Sequence, residues 1–227
     1  MTMIAVVLGF VCVGAGIASA FAEVAAAVRI SAALKMLAAT AYIAFALLLG
    51  ATASLYGVLI LLALALSWIG DLFLIPHGRP DAFRIGIASF LLAHLVYAYA
   101  FIARGVRVVP TVIGAAVMLV FAIIVWRWLS RSDVATRMAS AVQFYLLAIG
   151  IMVAFAAGTA FNGLALHPFR FSAPAATPDI RLLAGAVAFV ISDLFVARER
   201  FVDHNAANRI IGLPLYFVAQ ILIASTI

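Results

Sequence analysis

The chain has 227 residues, 68% of them hydrophobic and only 10% charged. Soluble domains carry about 25% charged residues, so an ordinary water-soluble fold is excluded and an all-α, polytopic membrane protein is expected. The net charge of +6 would suggest nucleic acid in a soluble protein; here it reads as basic loops held at an anionic leaflet, with membrane lipids and not nucleic acid as partners.

A membrane-spanning helix needs about 20 mostly apolar residues. Eight such runs follow one another, at 3–21, 30–49, 54–75, 82–103, 108–129, 137–161, 179–198 and 208–227. The first contains Ala18-Ser19-Ala20, small residues of the kind found at a signal cleavage site. No Lys or Arg precedes Arg29, however, so the run is read as a retained helix. It also holds the one cysteine, Cys12, which leaves no intramolecular disulfide. The breaks are short and polar, as in Pro76 to Asp81 and Arg104 to Arg107; the longest, Asn162 to Pro178, contains three prolines. Residues 1–227 therefore read as a single integral membrane domain with no soluble module.

Eight spans put both termini on one side. The opposite loops and adjoining helix ends carry Arg29, Lys35, Arg79, Arg84, Arg127, Arg131, Arg137, Arg198, Arg200 and Arg209; the terminal side carries Arg104, Arg107, Arg170 and Arg181. Ten basic residues against four place the basic loops in the cytoplasm and the termini outside, in the inner (plasma) membrane of a cell.

Two of the apolar runs contain a carboxylate. Trp68-Ile69-Gly70-Asp71-Leu72-Phe73 is echoed by Ile191-Ser192-Asp193-Leu194-Phe195. An ionisable residue inside a membrane helix costs roughly 2.5–3.5 kcal/mol on insertion and marks function by default. After each motif comes a polar loop and a similar helix start. Downstream of Arg84 and Arg209, Phe90, Ala93 and His94 stand at the same offsets from Gly86 as Tyr216, Ala219 and Gln220 from Gly212. The spacing predicts a parallel repeat of four helices plus four, with halves 1–104 and 105–227 and the two aspartates facing each other across their axis. Helices 1–2 and 5–6 show no comparable match.

Asp71 precedes Pro76 by five residues and Asp193 precedes Arg198 by five, so each is expected about 7 Å inside the cytoplasmic helix ends. Burial, the C-terminal helix dipole and mutual repulsion all favour the neutral acid there, which suits a carboxyl that gives up a proton. Asp71 and Asp193 are the expected catalytic residues. The competing reading is that each pairs with a loop arginine and fixes a helix end.

Lys35, Gln143 and Tyr145 enter their helices from the same side, Tyr216 and Gln220 share one face of the last helix, and His94 sits deeper. Lys35, Tyr145, Tyr216, Gln220 and His94 are the candidate substrate-binding residues. Against this, Lys35 could snorkel to the interface, Tyr145 could be packing with a satisfied hydroxyl, and His94 could be an ordinary core histidine. Ser192 reads as a small helix-packing residue rather than a nucleophile. There is no phosphate-binding glycine loop, no H-E-x-x-H and no C-x-x-C. Only His94 of the four histidines falls in a span, so neither a three-histidine metal site nor a Ser-His-Asp triad is expected.

Gly70-Asp71-Leu72-Phe73-Leu74, Phe90-Leu91-Leu92-Ala93-His94-Leu95-Val96-Tyr97, Phe189-Val190-Ile191-Ser192-Asp193 and Tyr216-Phe217-Val218-Ala219-Gln220, in this order on eight spans, resemble the YhhN-type lysoplasmalogenase family over most of the chain. The resemblance implies hydrolysis of the vinyl ether bond of lysoplasmalogens, giving a fatty aldehyde and a glycerophospho-headgroup. It implies a lysophospholipid substrate, and catalytic aspartates at Asp71 and Asp193; no cofactor is expected. The family usually has Lys-Pro in its second helix, where this chain has Lys35-Met36. Parallel repeats with intramembrane carboxylates also describe proton-coupled small-molecule or lipid carriers, and a lipid-binding protein without chemistry is a third class. All acids but Asp179 lie on one side, which favours a one-sided enzyme pocket.

Overall fold

The computed structural model describes residues 3–75, 79–131, 138–162 and 179–227. Most of the long connection expected from Asn162 to Pro178 lies outside the described residues, as do Pro76, His77, Arg137, His167 and Arg170.

Eight helices follow in order: α1 (Met3–Val24), α2 (Val28–Leu48), α3 (Leu55–Leu74), α4 (Pro80–Arg104), α5 (Val108–Leu129), α6 (Ala139–Ala160), α7 (Ile180–Phe201) and α8 (Ala206–Ala224). Each is long and apolar enough to cross a membrane, and there is no strand among the described residues. Lipid offers the backbone no hydrogen bonds, so a chain this apolar satisfies its peptide groups within helices. Local signals set the ends. Ser54 caps α3 by accepting from the Gly57 N–H, Pro80 stands in the first turn of α4, and Asn205 caps α8 by accepting from the Ala207 N–H. Gly105, at φ 100°, ends α4 in a conformation that favours glycine.

Neighbours in sequence pack as antiparallel pairs: α1 on α2, α3 on α4, α5 on α6 and α7 on α8. The pairs are joined by α1 against α8, α4 against α6, α2 against α3 and α8, and α6 against α7. The α3–α4 and α7–α8 pairs close at glycines. A β-carbon on Gly86 would lie 2.8 Å from the Leu74 side chain, and one on Gly212 would lie 2.9 Å from that of Phe195. Small residues at such crossings let helix backbones approach without a hydrophobic drive between them. Ser19 of α1 and Ser31 of α2 exchange hydroxyl-to-carbonyl bonds of 2.9 and 3.0 Å at their buried crossing. α5 packs on α6 and otherwise turns Val109, Ile113, Val117 and Ile124 outward, a surface suited to lipid.

Charge sits at the two ends. At the end carrying the chain termini, Arg104 on α4 pairs with Asp179 at 3.0 Å, and Arg181 donates to the Ser225 carbonyl. At the other end Arg209 of α8 bridges Glu199 of α7, at 2.6 Å, and Glu23 of α1, at 3.7 Å. This second cluster explains a difference from the sequence reading. Glu199 and Arg200 read as loop, but Asn208 and Arg209 satisfy the Glu199 carboxylate in place, and α7 runs on to Phe201. Asp193 therefore lies eight residues, about 12 Å, before the end of its helix, whereas Asp71 lies three residues before the end of α3.

Candidate active site

Asp71, 1% exposed, projects from the last turn of α3 among groups that all donate hydrogen bonds. Lys35 Nζ of α2 lies 3.2 Å from Oδ1. On Oδ2 the Tyr216 hydroxyl of α8 donates at 2.7 Å and the Tyr42 hydroxyl of α2 at 3.3 Å. Behind Tyr216 the order continues: Gln220 Nε2 donates to the Tyr216 oxygen at 3.0 Å, and the Tyr97 hydroxyl of α4 donates to Gln220 Oε1. Each hydrogen bond in the series Tyr97, Gln220, Tyr216 is donated in the direction of Asp71. A cation and two hydroxyl donors suit an ionised carboxylate, which only accepts.

Asp193 is placed differently. Its side chain, on α7, retains 19% exposure. The Tyr145 hydroxyl of α6 donates to Oδ2 at 2.8 Å. Facing the same oxygen at 3.6 Å is Nε2 of His94, a buried atom with no hydrogen-bond partner. The other ring nitrogen, Nδ1, is 2.7 Å from the Phe90 carbonyl oxygen. A carbonyl can only accept, so Nδ1 carries the proton, and with the ring neutral Nε2 is an acceptor. Asp193 thus faces one donor and one acceptor. A protonated carboxyl fits both, whereas a carboxylate would set two acceptors against each other.

An aromatic wall joins the two halves. The ring of His94 stands edge-on to Phe189 (4.7 Å) and Tyr145 (5.2 Å), and Phe189 and Phe90 each pack edge-on to Tyr216 at 5.4 and 5.7 Å. Among the described residues no hydrogen bond or ion pair links the two carboxylates to each other. Tyr216, Phe189 and His94 stand in the series of contacts between them. Beside Asp193 and Tyr145 the bundle opens into an apolar cleft between α4, α5, α6 and α7; Asp71 is not among its lining residues.

Of the residues singled out in the sequence, Lys35, Tyr216 and Gln220 gather with Asp71, and Tyr145 and His94 with Asp193. Lys35 is held by Asp71 and is mostly buried. Gln143 is exposed. The Ser192 hydroxyl donates to the Gly212 carbonyl at 2.9 Å, tying α7 to α8. Sequence reasoning passed over Tyr42 and Tyr97. Both carried a signal, since Tyr42 follows Lys35 by two helical turns and Tyr97 follows His94 by three residues, each on the face of its partner. Among the described residues, no three of His, Cys, Asp and Glu come together as a metal-ligand set.

Residues 30–227 match the YhhN family. The chain is 26% identical over 165 residues to a protein of Sus scrofa described as lysoplasmalogenase TMEM86B. That match covers 73% of this chain and spans 61% of the relative's length. No solved structure matches the chain.

Proposed function

The chain belongs to the YhhN family, and on that premise we propose that it is a membrane-embedded hydrolase that cleaves the vinyl ether bond of lysoplasmalogens. The observation that carries the reading is the unequal setting of the two aspartates. Asp71 is surrounded by donors and a lysine, while Asp193 faces a donor and an unpartnered histidine nitrogen at the edge of an apolar cleft.

That inequality matches what a vinyl ether needs. Cleavage starts with protonation of the distal carbon of the double bond, which leaves an oxocarbenium-like cation. Asp193 supplies the proton, and its carboxylate then takes a proton from the water that adds to the cation. His94 Nε2, facing the same oxygen as an acceptor, favours the protonated carboxyl before the transfer and again once the proton of the added water has been taken up. Collapse of the hemiacetal releases the fatty aldehyde and returns the glycerol hydroxyl, so one water is consumed per bond broken. Asp71 stays ionised behind the aromatic wall and, through Tyr216, fixes the packing on which His94 and Phe189 rest. The division between a proton-giving and an ionised carboxyl parallels that of glycoside hydrolases, by analogy of chemistry alone. The basic end of the bundle, with Arg200 and Arg209, is oriented toward the cytoplasm in this reading.

The test is a direct one. Purified protein is given a vinyl-ether lysolipid and its saturated alkyl-ether analogue, and aldehyde is measured. Aldehyde is expected from the vinyl ether alone, since only its double bond accepts the proton. Absence of aldehyde from the vinyl ether, or efficient fatty-acid release from an ester lysolipid, would overturn the proposal.

A further inference from the structure

The cleft beside Asp193 has a polarity along its length. At its inner end Phe121 of α5, Ile149 of α6 and Val190 of α7 make a wholly apolar wall. Asp193 and Tyr145 come next, then a further apolar stretch that includes Ile87, Val125 and Val142. At the outer end, two helical turns beyond Asp193 on α7, stands Arg200. Asp193, Tyr145 and Arg200 are the polar side chains of the lining. Arg200 is exposed, its guanidinium lies 4.4 Å from the centroid of the Phe83 ring, and it has no carboxylate partner among the described residues.

An occupant complementary to this surface carries an anion at one end, a bond sensitive to acid about two helical turns further in, roughly 10 Å along the axis, and an apolar chain beyond it. A single-chain phospholipid has these parts in this order. The glycerol of such a lipid spans the stretch between phosphate and sn-1 linkage. Lys35 is engaged by Asp71 and so does not compete for the anion. Arginine is also the cation whose planar fork binds two phosphate oxygens at once, and packing on the Phe83 face limits how far it has to be ordered.

We propose that the cleft is the lipid-binding site and that Arg200 is the residue that selects substrates carrying a phosphate, by holding that phosphate at the cleft mouth. The proposal rests on the hydrolase reading for its chemistry but not for its binding test. The kinetic arm compares wild type, Arg200→Gln and Arg200→Lys on a phosphate-bearing vinyl-ether lysolipid and on the uncharged alkenyl glycerol. Loss of a charge-assisted contact worth about 1.5–3 kcal/mol is expected to raise KM for the phosphorylated lipid by about tenfold or more in Arg200→Gln. The same change should leave kcat within about twofold and KM for the uncharged lipid unmoved, with Arg200→Lys intermediate.

The binding arm needs no turnover. Ala141, at the cleft, is replaced by Cys in a Cys12→Ala background, and its maleimide labelling is followed with the saturated ether lysophospholipid present. Protection is expected with Arg200 and is expected to be lost in Arg200→Gln. Equal KM changes for both lipids, an unchanged KM for the phosphorylated one, or no protection of Ala141→Cys would overturn this site. If wild type releases no aldehyde yet protection depends on Arg200, the hydrolase reading fails and the lipid site stands.

Discussion

Tyr42 on α2 and Tyr145 on α6 do the same thing in different halves of the chain: each donates its hydroxyl to the aspartate of the helix that follows, Asp71 at 3.3 Å and Asp193 at 2.8 Å. The correspondence extends to α4 and α8, where Phe90 and Tyr216, the same position of two matching motifs, meet edge to face. The helix pairs also cross. His94 of α4 reaches the aspartate of α7, and Tyr216 of α8 reaches the aspartate of α3. We propose that these are the marks of a duplicated four-helix unit whose halves share one site.

The two tyrosines differ in how much depends on them. Asp71 keeps Tyr216 and Lys35 when Tyr42 is lost, whereas Tyr145 is the one hydrogen-bond donor on the Asp193 carboxyl among the described residues. Tyr145→Phe is therefore expected to lower turnover about tenfold, in line with about 1.5 kcal/mol for a hydrogen bond to an ionisable group, and Tyr42→Phe by much less. Steady-state rates on the vinyl-ether lysolipid make the comparison; equal losses in the two variants would contradict it.

The aspartates themselves separate by two readouts. Asp193→Asn keeps shape but exchanges no proton, and turnover is expected to fall by at least about 100-fold with the melting temperature in detergent unchanged. Asp71→Asn is expected to lower both turnover and melting temperature, because Lys35 is left buried against a neutral amide. The double variant should lose far less activity than the product of the singles, as residues acting as a unit do. Near-normal turnover in Asp193→Asn would end the proposed mechanism.

His94→Phe tests the role of the ring nitrogen as an acceptor facing Asp193 apart from the packing. Phenylalanine retains the edge contacts to Phe189 and Tyr145 but has no ring nitrogen to face Asp193. Folding yield is expected to hold, turnover to drop at least about tenfold, and the pH dependence of turnover to change shape. A variant with an unaltered pH profile and rate would make His94 a packing residue only.

Orientation can be read from labelling. With Cys12→Ala as background, cysteines at Thr52, between α2 and α3, and at Val202, at the end of α7, should react from opposite faces of sealed vesicles, Val202 from the cytoplasmic face. Reaction of Val202 from outside would invert the assignment.

The eight helices were legible because apolar runs of spanning length are separated by proline, glycine and charge, and lipid leaves such runs no alternative to helix. The end of α7 was not, since Glu199 and Arg200 look like loop until Asn208 and Arg209 are seen to satisfy the Glu199 carboxylate. In the site, the aspartates stand out by the cost of a carboxylate in an apolar run. What each aspartate touches does not follow from that cost. Tyr42 shares the face of Lys35 in sequence, but its reach to Asp71, like the separation of the carboxylates by Phe189 and Tyr216, depends on helix rotations that periodicity leaves free. The pairing of His94 with Asp193 needed the three-dimensional crossing of α4 and α7's neighbours, because 99 residues separate them in the chain.

The ion pair between Lys35 and Asp71 also bears on biogenesis. Either side chain, entering the bilayer alone on its helix, would raise the insertion cost by roughly 2.5–3.5 kcal/mol. Only the short stretch from Leu49 to Ser54 separates α2 from α3, so the two helices can leave the insertion machinery as one hairpin with the charges already neutralising each other. The site's buried charge is then installed with the second and third helices, before the sequence that will supply Tyr216 has been translated.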